Sequence, residues 1–574
     1  MCGFLILKSN NFTKESKKSF LKSLNFLKRR GPDETKVLIR KKFLIGFTRL
    51  SINDHKTASQ PFISNCKKYI IVFNGEIINY KYLQRHLIEN NFKIKYGHEA
   101  EIIVNLYKLY GKNVIKHLRG FFSFVIINTK TNKIFAAVDR YSIKPLYYSK
   151  NLNGEKKTLL LTSDYSSALK GGLIQKKLNY DKLVDFFVMG REFDNSTILL
   201  GIKKLRSAST LIINKGIKIN KYWKPFKRGI NYKKSPKKII KDFDDNFAEV
   251  LNSWKIADTR LSLALSSGVD SQLIKTYFDE KKIVAKNFHM KEIKNDPKID
   301  NSCKIIKPDI KKIIHLINAI TKESFNIFAF AHPSSTALLQ IYNSIRKNNY
   351  RVTFCGEGAD ELLGGYSRFK KQVRILKNEK ISLSSMYLKL YSKEIRNFSY
   401  AFKNKKYDTY KILKDKISSI NLSSRKFENK VLEFDQLTFI PPLTERHDII
   451  GMYNSLEVRP PYLDHKLAKF ANNLHPKHKL DPNKKSKNIS YNLFTKITGN
   501  KILNKKIGTP SYFDQILKNK KELIKFKKSI SCRDMSKLFD IERVKKLINE
   551  PKTSRIFLWR LYMFSKILNN FQIK

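Results

Sequence analysis

Cysteine is scarce in this chain, which has five cysteines among 574 residues, at positions 2, 66, 303, 355 and 532. They are odd in number, widely separated and without the paired spacing typical of a metal site. This pattern argues against a disulfide framework and a structural zinc site, and it indicates a reducing compartment.

Long apolar runs are also missing. No stretch of 18 apolar residues is present that could form a transmembrane helix. The apolar run at residues 4–7 is too short for the core of a signal peptide. These absences predict a cytoplasmic protein with no membrane partner.

Acidic residues are few: 49 Asp and Glu stand against 114 Lys and Arg, which gives a formal net charge of +65 and a pI near 10.0. Such a charge attracts polyanions and could indicate a nucleic-acid-binding protein. The lysines are spread along the whole chain, however, and no nucleic-acid-binding motif accompanies them. We therefore expect no nucleic-acid partner, although ATP and acidic substrates would arrive faster at low ionic strength.

The length exceeds what one hydrophobic core supports, and 41% apolar residues are enough for two or three cores. The best candidate for a boundary is the segment 221–225, which a lysine-rich stretch follows. Short strands and turns precede it, and alternating strands and helices follow it. The sequence thus predicts one domain at 1–222 and a second at 223–574.

Cys2 is the most informative single residue. Removal of Met1 would place a thiol and a free α-amine on Cys2, followed by Gly3. An α-amino group titrates at about pH 7.7 to 8.0, so it can accept the thiol proton directly or through one water. Alone, these first residues are weak evidence for a nucleophile, because an ordinary chain can begin in the same way.

Residues 69–73 are typical of a buried strand that delivers Asn74 and Gly75 to its end. An Asn amide beside a glycine N–H can form an oxyanion hole. Arg49 offers a planar fork for an α-carboxylate, and Glu76 could hold an ammonium group. Together they predict a pocket for a zwitterionic amino acid beside a thiolate, although each alone could be a turn or a solvated side chain.

A second set of motifs predicts a nucleotide site. Residues 260–265 are typical of a buried strand, 266–271 of a tight loop and 272–278 of a helix start, which points N–H groups at phosphate. The loop lacks the Gly-Lys-Ser/Thr ending of a Walker motif. A second strand at 351–354 runs into Cys355 and Gly356 and should lie beside the first at the carboxyl edge of a parallel sheet.

These motifs resemble those of class II glutamine amidotransferases, and specifically those of the glutamine-hydrolysing asparagine synthetase family. The resemblance extends over roughly residues 1 to 515. The matching segments are, in order, MCG at 1–3, RGPD at 30–33, RLS at 49–51, NGE at 74–76, LRGFFSF at 118–124, DR at 139–140, IKPLYY at 143–148, LSSGVDS at 265–271, GEGADE at 356–361, GGY at 364–366, LEVR at 456–459 and PYLDH at 461–465.

The resemblance implies an α/β fold: an N-terminal-nucleophile α/β/β/α sandwich followed by a doubly wound α/β ATP-pyrophosphatase domain with additional helices. It implies that the loop cleaves ATP to AMP and pyrophosphate, with nucleotide contacts from Leu265, Ser266, Ser267, Gly268, Asp270, Ser271, Cys355 and Gly356. It also implies that Asp270 and Asp360 bind Mg²⁺, and hard carboxylate oxygens with substrate phosphates are what this ion prefers.

Two further catalytic residues follow from the resemblance. Glu357 stands where asparagine synthetases keep Glu and related β-lactam synthetases have Tyr, which favours ammonia as the nucleophile. Lys487 best matches the family lysine that neutralises charge on the adenylate and pyrophosphate. The family pattern Lys-x-x-Leu-Arg is incomplete here, and Lys484 and Lys485 are near enough to confuse the assignment.

Three positions depart from the family pattern. Glu99 stands where an aspartate binds the glutamine ammonium, and a misplacement of about 1 Å can cost about 10²-fold in rate. Ser267 replaces the first glycine of the phosphate loop, and it fits only if the backbone there does not require positive φ. Ser142 replaces another family glycine.

We therefore predict glutamine- and ATP-dependent amidation of aspartate to asparagine through an acyl-adenylate, with glutamine, aspartate and ATP as partners and Mg²⁺ as cofactor. The alternatives are amidation of another carboxylate, such as a sugar acid of surface polysaccharides, and a basic binding protein that has lost catalysis. Cys2 and Glu357 argue against the last. A homodimer is one option for assembly, which the sequence does not decide.

Overall fold

The computed structural model describes residues 2–53, 58–152, 158–226, 234–291, 303–404, 407–424, 426–480, 488–499 and 510–571. The strands are β1 Cys2–Lys8, β2 Glu34–Arg40, β3 Phe43–Arg49, β4 Phe62–Ile63, β5 Tyr69–Ile77, β6 Gly120–Asn128, β7 Ile134–Val138, β8 Tyr147–Lys150, β9 Leu159–Thr162, β10 Ile202–Lys204, β11 Ser209–Ile213, β12 Ile217–Lys221, β13 Leu261–Leu265, β14 Ala285–Met290, β15 Lys304–Ile306, β16 Val352–Phe354 and β17 Glu457–Arg459.

The α-helices are α1 Lys14–Leu27, α2 Tyr80–Glu89, α3 Glu99–Tyr110, α4 Tyr165–Gly171, α5 Tyr180–Val184, α6 Pro236–Trp254, α7 Val269–Glu280, α8 Ile310–Glu323, α9 Ser335–Lys347, α10 Ala359–Leu363, α11 Ser367–Asn378, α12 Leu383–Leu390, α13 Ser392–Ala401, α14 Thr409–Ser418, α15 Phe427–Thr438, α16 Ile440–Tyr453, α17 His465–Asn473, α18 Asn488–Thr498, α19 Phe513–Lys518, α20 Lys520–Ile530, α21 Arg533–Leu538, α22 Ile541–Asn549 and α23 Arg555–Asn570. A π-helical turn, Asp185–Met189, continues α5.

Two antiparallel sheets form the N-terminal part. Their strand orders are β10-β8-β9-β1-β3-β2 and β12-β11-β7-β6-β5-β4. On β1, Phe4 and Ile6 point into the core between the sheets, whereas Leu5 and Leu7 pack with α1 and α4. Helices α2 and α3 cover the outer face of the second sheet. The result is the expected α/β/β/α sandwich, because alternate residues of each strand feed two different cores.

The third sheet is parallel and has the order β15-β14-β13-β16-β17. Helices α6, α7, α17 and α18 belong to the apolar core on one face, and α8, α9 and α16 pack on the other. The strand order reverses between β13 and β16, and ligands of doubly wound sheets bind at the carboxyl edge of such a switch point. The expected doubly wound α/β fold is confirmed.

The additional helices follow the sheet, and α23 is the most deeply buried of them. Its apolar residues share one core with the π-helical turn and with residues 327–331. Arg560 donates to the carbonyl oxygens of Ala331, Phe187 and Val188 at 2.9 to 3.1 Å. In the described part of the chain, no helix is long and apolar enough to cross a membrane.

Candidate functional site

Cys2 is the first residue of β1 and lies opposite Arg49 of β3. It is half-buried, and its backbone N–H donates to Asn74 Oδ1 at 2.9 Å. Burial raises the pKa of the thiol, while the backbone N–H of Leu50 and the charge of Arg49 oppose that rise. The structure thus places the predicted nucleophile against both Asn74 and Arg49.

Asn74 and Gly75 lie inside β5 rather than at its end, because the strand continues to Ile77. Gly75 has φ of +137°, and a Cβ atom there would collide with the backbone of Phe121, so only glycine fits. The Asn74 side chain is fully buried, and its Nδ2 has no hydrogen-bond partner among the residues described. An unpartnered buried amide beside a thiol is well suited to a substrate oxyanion.

The predicted ammonium-binding acids form a pair. The Ile77 N–H donates to Glu99 Oε1 at 2.6 Å, and the Glu99 carboxyl is hydrogen-bonded to Glu76. Burial, together with the nearby Glu457, raises the pKa of Glu76 to about 7, and burial and Glu76 raise that of Glu99 well above its usual range. The longer Glu99 side chain therefore reaches its partner, and the raised pKa values favour a proton held between the two carboxyl groups.

Arg49 and Asn53 complete this pocket. Arg49 is buried and donates to the Asn53 carbonyl oxygen at 3.3 Å, and the Asn53 amide donates to Glu76 Oε2 at 2.6 Å. A cavity of about 700 Å³ opens beside Asn53, Gly97 and Glu99. Asn53 was missed by the motif analysis, although it lies four residues after Arg49.

The predicted phosphate loop follows β13, but α7 begins at Val269, earlier than the sequence predicted. Asp270 and Ser271 therefore lie on its first turn. The Ser271 hydroxyl closes the loop through the Ser266 N–H at 2.9 Å and the Ser266 carbonyl oxygen at 3.1 Å. Ser267 is not among the residues with positive φ, so a serine fits at this position without strain. Ser142 does have positive φ, at 53°.

The second loop touches the first. A Cβ atom built on Gly356 would lie 3.0 Å from that of Asp270, so glycine permits the close approach. The Tyr462 hydroxyl donates to the Asp270 carbonyl oxygen at 3.1 Å, and the Asp270 and Asp360 charges both raise the pKa of Tyr462, behind the larger effect of burial. The two carboxylates thus share one region, and hard carboxylate oxygens are donors that fit Mg²⁺. In the described residues, no group of three or more His, Cys, Asp or Glu side chains could hold a metal ion.

Glu357 is held by side chains that the sequence analysis missed. Its Oε2 accepts from Arg446 at 3.0 Å and hydrogen-bonds His447 Nε2 at 2.6 Å. Arg446 also donates to the Ser334 hydroxyl at 2.9 Å. A signal was available, because residues 445–448 are four consecutive ionisable residues inside an apolar helix.

His332 lies near both Glu357 and Arg368. Part of the His332 side chain reaches solvent, although Ala331 and Ser334 beside it are buried and protein atoms surround most of its ring. Enclosure first, and then the charges of Arg446, Arg560 and Arg368, lower the pKa of His332 to about 3. The charge of Glu357 opposes this fall in pKa, so both cationic and anionic groups surround His332. Lys487, like Lys484 and Lys485, lies outside the described residues.

Family models match both parts of the chain. A glutamine amidotransferase domain matches residues 1–223, and asparagine synthase matches residues 242–569, more than half of the chain. The chain belongs to the asparagine synthase family. It is thus a member of a family of glutamine-dependent amidating enzymes, as the motif resemblance indicated.

Individual relatives are more distant. "Asparagine synthetase [glutamine-hydrolyzing] 3" of Bacillus subtilis is 26% identical over 509 residues, which cover 80% of this chain and 78% of the relative. "Amidase chry2" of Gibberella zeae is 31% identical over 267 residues, covering 44% and 37%. Among solved structures, the B. subtilis glutamine phosphoribosylpyrophosphate amidotransferase covers 62% of this chain and 81% of its own, at 13% identity and a TM-score of 0.29.

Proposed function

We propose that this protein transfers the amide nitrogen of glutamine to a carboxylate that it first adenylates, and that the carboxylate is the β-carboxylate of aspartate. The products are asparagine, glutamate, AMP and pyrophosphate. The observation that carries the proposal is that one chain holds a thiol beside a buried, unpartnered amide and, in a second sheet, a phosphate-type loop beside Glu357. We divide the chain accordingly into a glutaminase part, 1–222, and a synthetase part, 223–574.

In the glutaminase part, Cys2 Sγ attacks the glutamine side-chain amide once Met1 has been removed. The α-amine takes the thiol proton and passes it to the leaving ammonia, and water then resolves the thioester to glutamate. Asn74 Nδ2 and the Gly75 N–H stabilise the oxyanion. Arg49 binds the α-carboxylate, and the Glu76–Glu99 pair binds the α-ammonium when Glu76 is ionised.

In the synthetase part, ATP lies against Leu265, Ser266, Ser267, Gly268 and Ser271 on one loop and against Cys355 and Gly356 on the other. Asp270 and Asp360 would hold Mg²⁺, which when bound neutralises pyrophosphate charge. Lys487 would add a further positive charge. The acceptor carboxylate attacks the α-phosphate, pyrophosphate leaves, and ammonia then displaces AMP from the acyl carbon while Glu357 takes a proton.

Aspartate is the acceptor favoured by the family match and by the asparagine synthetases among the curated relatives. Arg368 and Arg446 lie near His332. Both guanidinium groups already have protein carboxylates, since Arg446 pairs with Glu357 and Arg368 with Asp435, so they do not by themselves select an acceptor with a second carboxylate.

The decisive experiment measures pyrophosphate release by the purified full-length chain with Mg²⁺, ATP and ammonium, against aspartate and a panel of carboxylates. Aspartate should give the highest kcat/KM, with one asparagine formed per pyrophosphate. A higher kcat/KM with a sugar acid would reassign the acceptor while keeping the chemistry. If none of the carboxylates in the panel supports pyrophosphate release, the proposal is refuted.

A further inference from the structure

Glu357 is linked to the interior of the protein by a chain of two hydrogen bonds. His447, on α16, hydrogen-bonds Glu357 Oε2 through Nε2 at 2.6 Å. Its other ring nitrogen, Nδ1, lies 2.5 Å from the hydroxyl of Tyr342 on α9. Both Tyr342 and His447 are buried, with 0% and 4% of their surface exposed. The three side chains form a line that runs from the core to the reacting centre.

The hydrogen bonds fix the tautomer of His447. A carboxylate oxygen can only accept, so Nε2 carries the proton and donates to Glu357. Burial lowers the pKa of His447, so the ring is neutral and Nδ1 has a lone pair that accepts from the Tyr342 hydroxyl. The opposite tautomer would set two acceptors against each other at 2.6 Å and leave the buried tyrosine proton facing no acceptor on His447.

The backbone that carries His447 is held from its other side by the glutaminase part. Thr444 donates to the Ser142 carbonyl oxygen at 3.3 Å, and Asp448 accepts from Arg30 at 2.8 Å. Glu445 lies 3.3 Å from Lys204. These contacts fix the helical turn 444–448, so the position of His447 is set before substrates bind.

We propose that His447, oriented by Tyr342, is a positioning residue that aims the Glu357 carboxylate at the nitrogen of the attacking ammonia. The inference rests on the proposed amidation. In that step a C–N bond forms, the C–O bond to AMP breaks, and one proton leaves nitrogen for Glu357. Adenylation needs no such proton transfer, so His447 acts on the second half-reaction. A misplaced carboxylate lets water compete for the adenylate.

The test uses full-length protein with ammonium, aspartate and Mg·ATP, and measures pyrophosphate and asparagine together. In the wild type the two form in equal amounts. His447→Leu should lower asparagine formation by about 10²-fold, as expected for a misplaced general base, and lower pyrophosphate release much less. His447→Gln, whose Nε2 can replace the lost donor, should restore most of the coupling. Tyr342→Phe should uncouple the products in the same direction by a smaller factor.

The matched control is Tyr562→Phe, which removes a buried hydroxyl that donates to Glu522 at 2.7 Å, away from Glu357. It should keep the ratio of pyrophosphate to asparagine at one. The glutaminase activity of each variant reports whether the chain has folded. If the His447→Leu variant has not folded, the product ratios of Tyr342→Phe and His447→Gln test the inference. The inference is overturned if His447→Leu loses pyrophosphate and asparagine formation equally, or if Tyr342→Phe keeps the ratio of pyrophosphate to asparagine at one. A wild type that releases no pyrophosphate overturns the proposed function instead.

Discussion

Arg459 Nη2 lies 3.9 Å from Glu76 Oε1, which joins the last strand of the parallel sheet to the pocket beside Cys2. The same guanidinium donates to Glu457 at 2.7 Å and to the Ile256 carbonyl oxygen at 2.8 Å. The Arg459 carbonyl oxygen accepts from the Cys355 N–H at 3.1 Å, at the start of the second nucleotide loop. One side chain and its backbone thus touch both halves of the proposed chemistry.

Glutamine binding should weaken as the pH falls. The pKa of Glu76 is about 7, so below that pH the acid pair holds an extra proton that the substrate ammonium must displace. KM for glutamine should rise by up to about tenfold per pH unit below 7, as expected for release of one proton on binding. Glutaminase kinetics between about pH 5.5 and 8.5 would show it, and Glu99→Gln, which cannot ionise, should have a higher KM and a weaker pH dependence.

Shortening Glu99 should harm the pocket. Its carboxyl spans from the Ile77 N–H to Glu76, and Glu99→Asp is one methylene too short for both. We expect KM for glutamine to rise about 10-fold or more, given the cost of a 1 Å misplacement. Ammonium-dependent synthesis should be unchanged. A fall in KM would show instead that aspartate is the better length at this position.

A mutation at the proposed Mg²⁺ site should affect ATP cleavage without affecting the thiol chemistry. Asp270→Asn removes a charge from the proposed Mg²⁺ site, so pyrophosphate release should be lost by about 10²-fold or more. Glutamine hydrolysis should be largely intact, because Cys2 lies in a different sheet. The assay is pyrophosphate release measured as a function of Mg²⁺ concentration. Near-normal ATP cleavage in this variant would contradict the assignment of Asp270 as a Mg²⁺ ligand.

Cys2→Ala should abolish glutamine-dependent synthesis and preserve synthesis from ammonium. Retention of Met1 should have the same effect, because an amide nitrogen has no lone pair to act as base. The measurement is asparagine formed from each nitrogen donor by the same preparation. Loss of both activities would show that Cys2 is structural, and loss of neither would show an ammonia-dependent enzyme.

Ser142→Gly should stabilise the protein. Ser142 has φ of 53°, where a side chain costs about 1–2 kcal/mol that glycine does not. Its hydroxyl makes only a 3.5 Å contact with the Leu205 carbonyl oxygen, so little is lost. Denaturant unfolding should give a free energy of unfolding higher by about 1 kcal/mol, seen as a higher midpoint concentration at an unchanged m-value. An unchanged midpoint would mean that the hydroxyl offsets the strain.

Local motifs indicated backbone positions of restricted geometry but not the side-chain contacts around them. The glycine at 75 and the serine loop at 266–271 could be recognised because backbone geometry restricts the residue at each position. The extent of β5 was wrong, since pairing with β6 carries the strand through Asn74 and Gly75 to Ile77. The strand propensities of the residues alone do not predict that pairing.

Side-chain contacts made by residues outside the motifs could not be predicted. His447 and Glu357 are 90 residues apart, and one ionisable run within an apolar helix does not reveal what it faces. The acid pair is another case: Glu99 seemed too long for an ammonium contact, but its neighbour Glu76 sets where the carboxyl must reach. Such distances depend on the assembled sheets rather than on residue type.

The burial of α23 has a consequence for biosynthesis. Arg560 completes the hydrogen bonding of Phe187, which is 373 residues earlier in the chain, and the helix covers the same apolar turn. During translation at about 5–20 residues per second, that turn stays uncovered for tens of seconds after it leaves the ribosome. Chaperones that shield exposed aromatic segments therefore have a defined target in the nascent chain, and an isolated N-terminal fragment would keep that surface exposed.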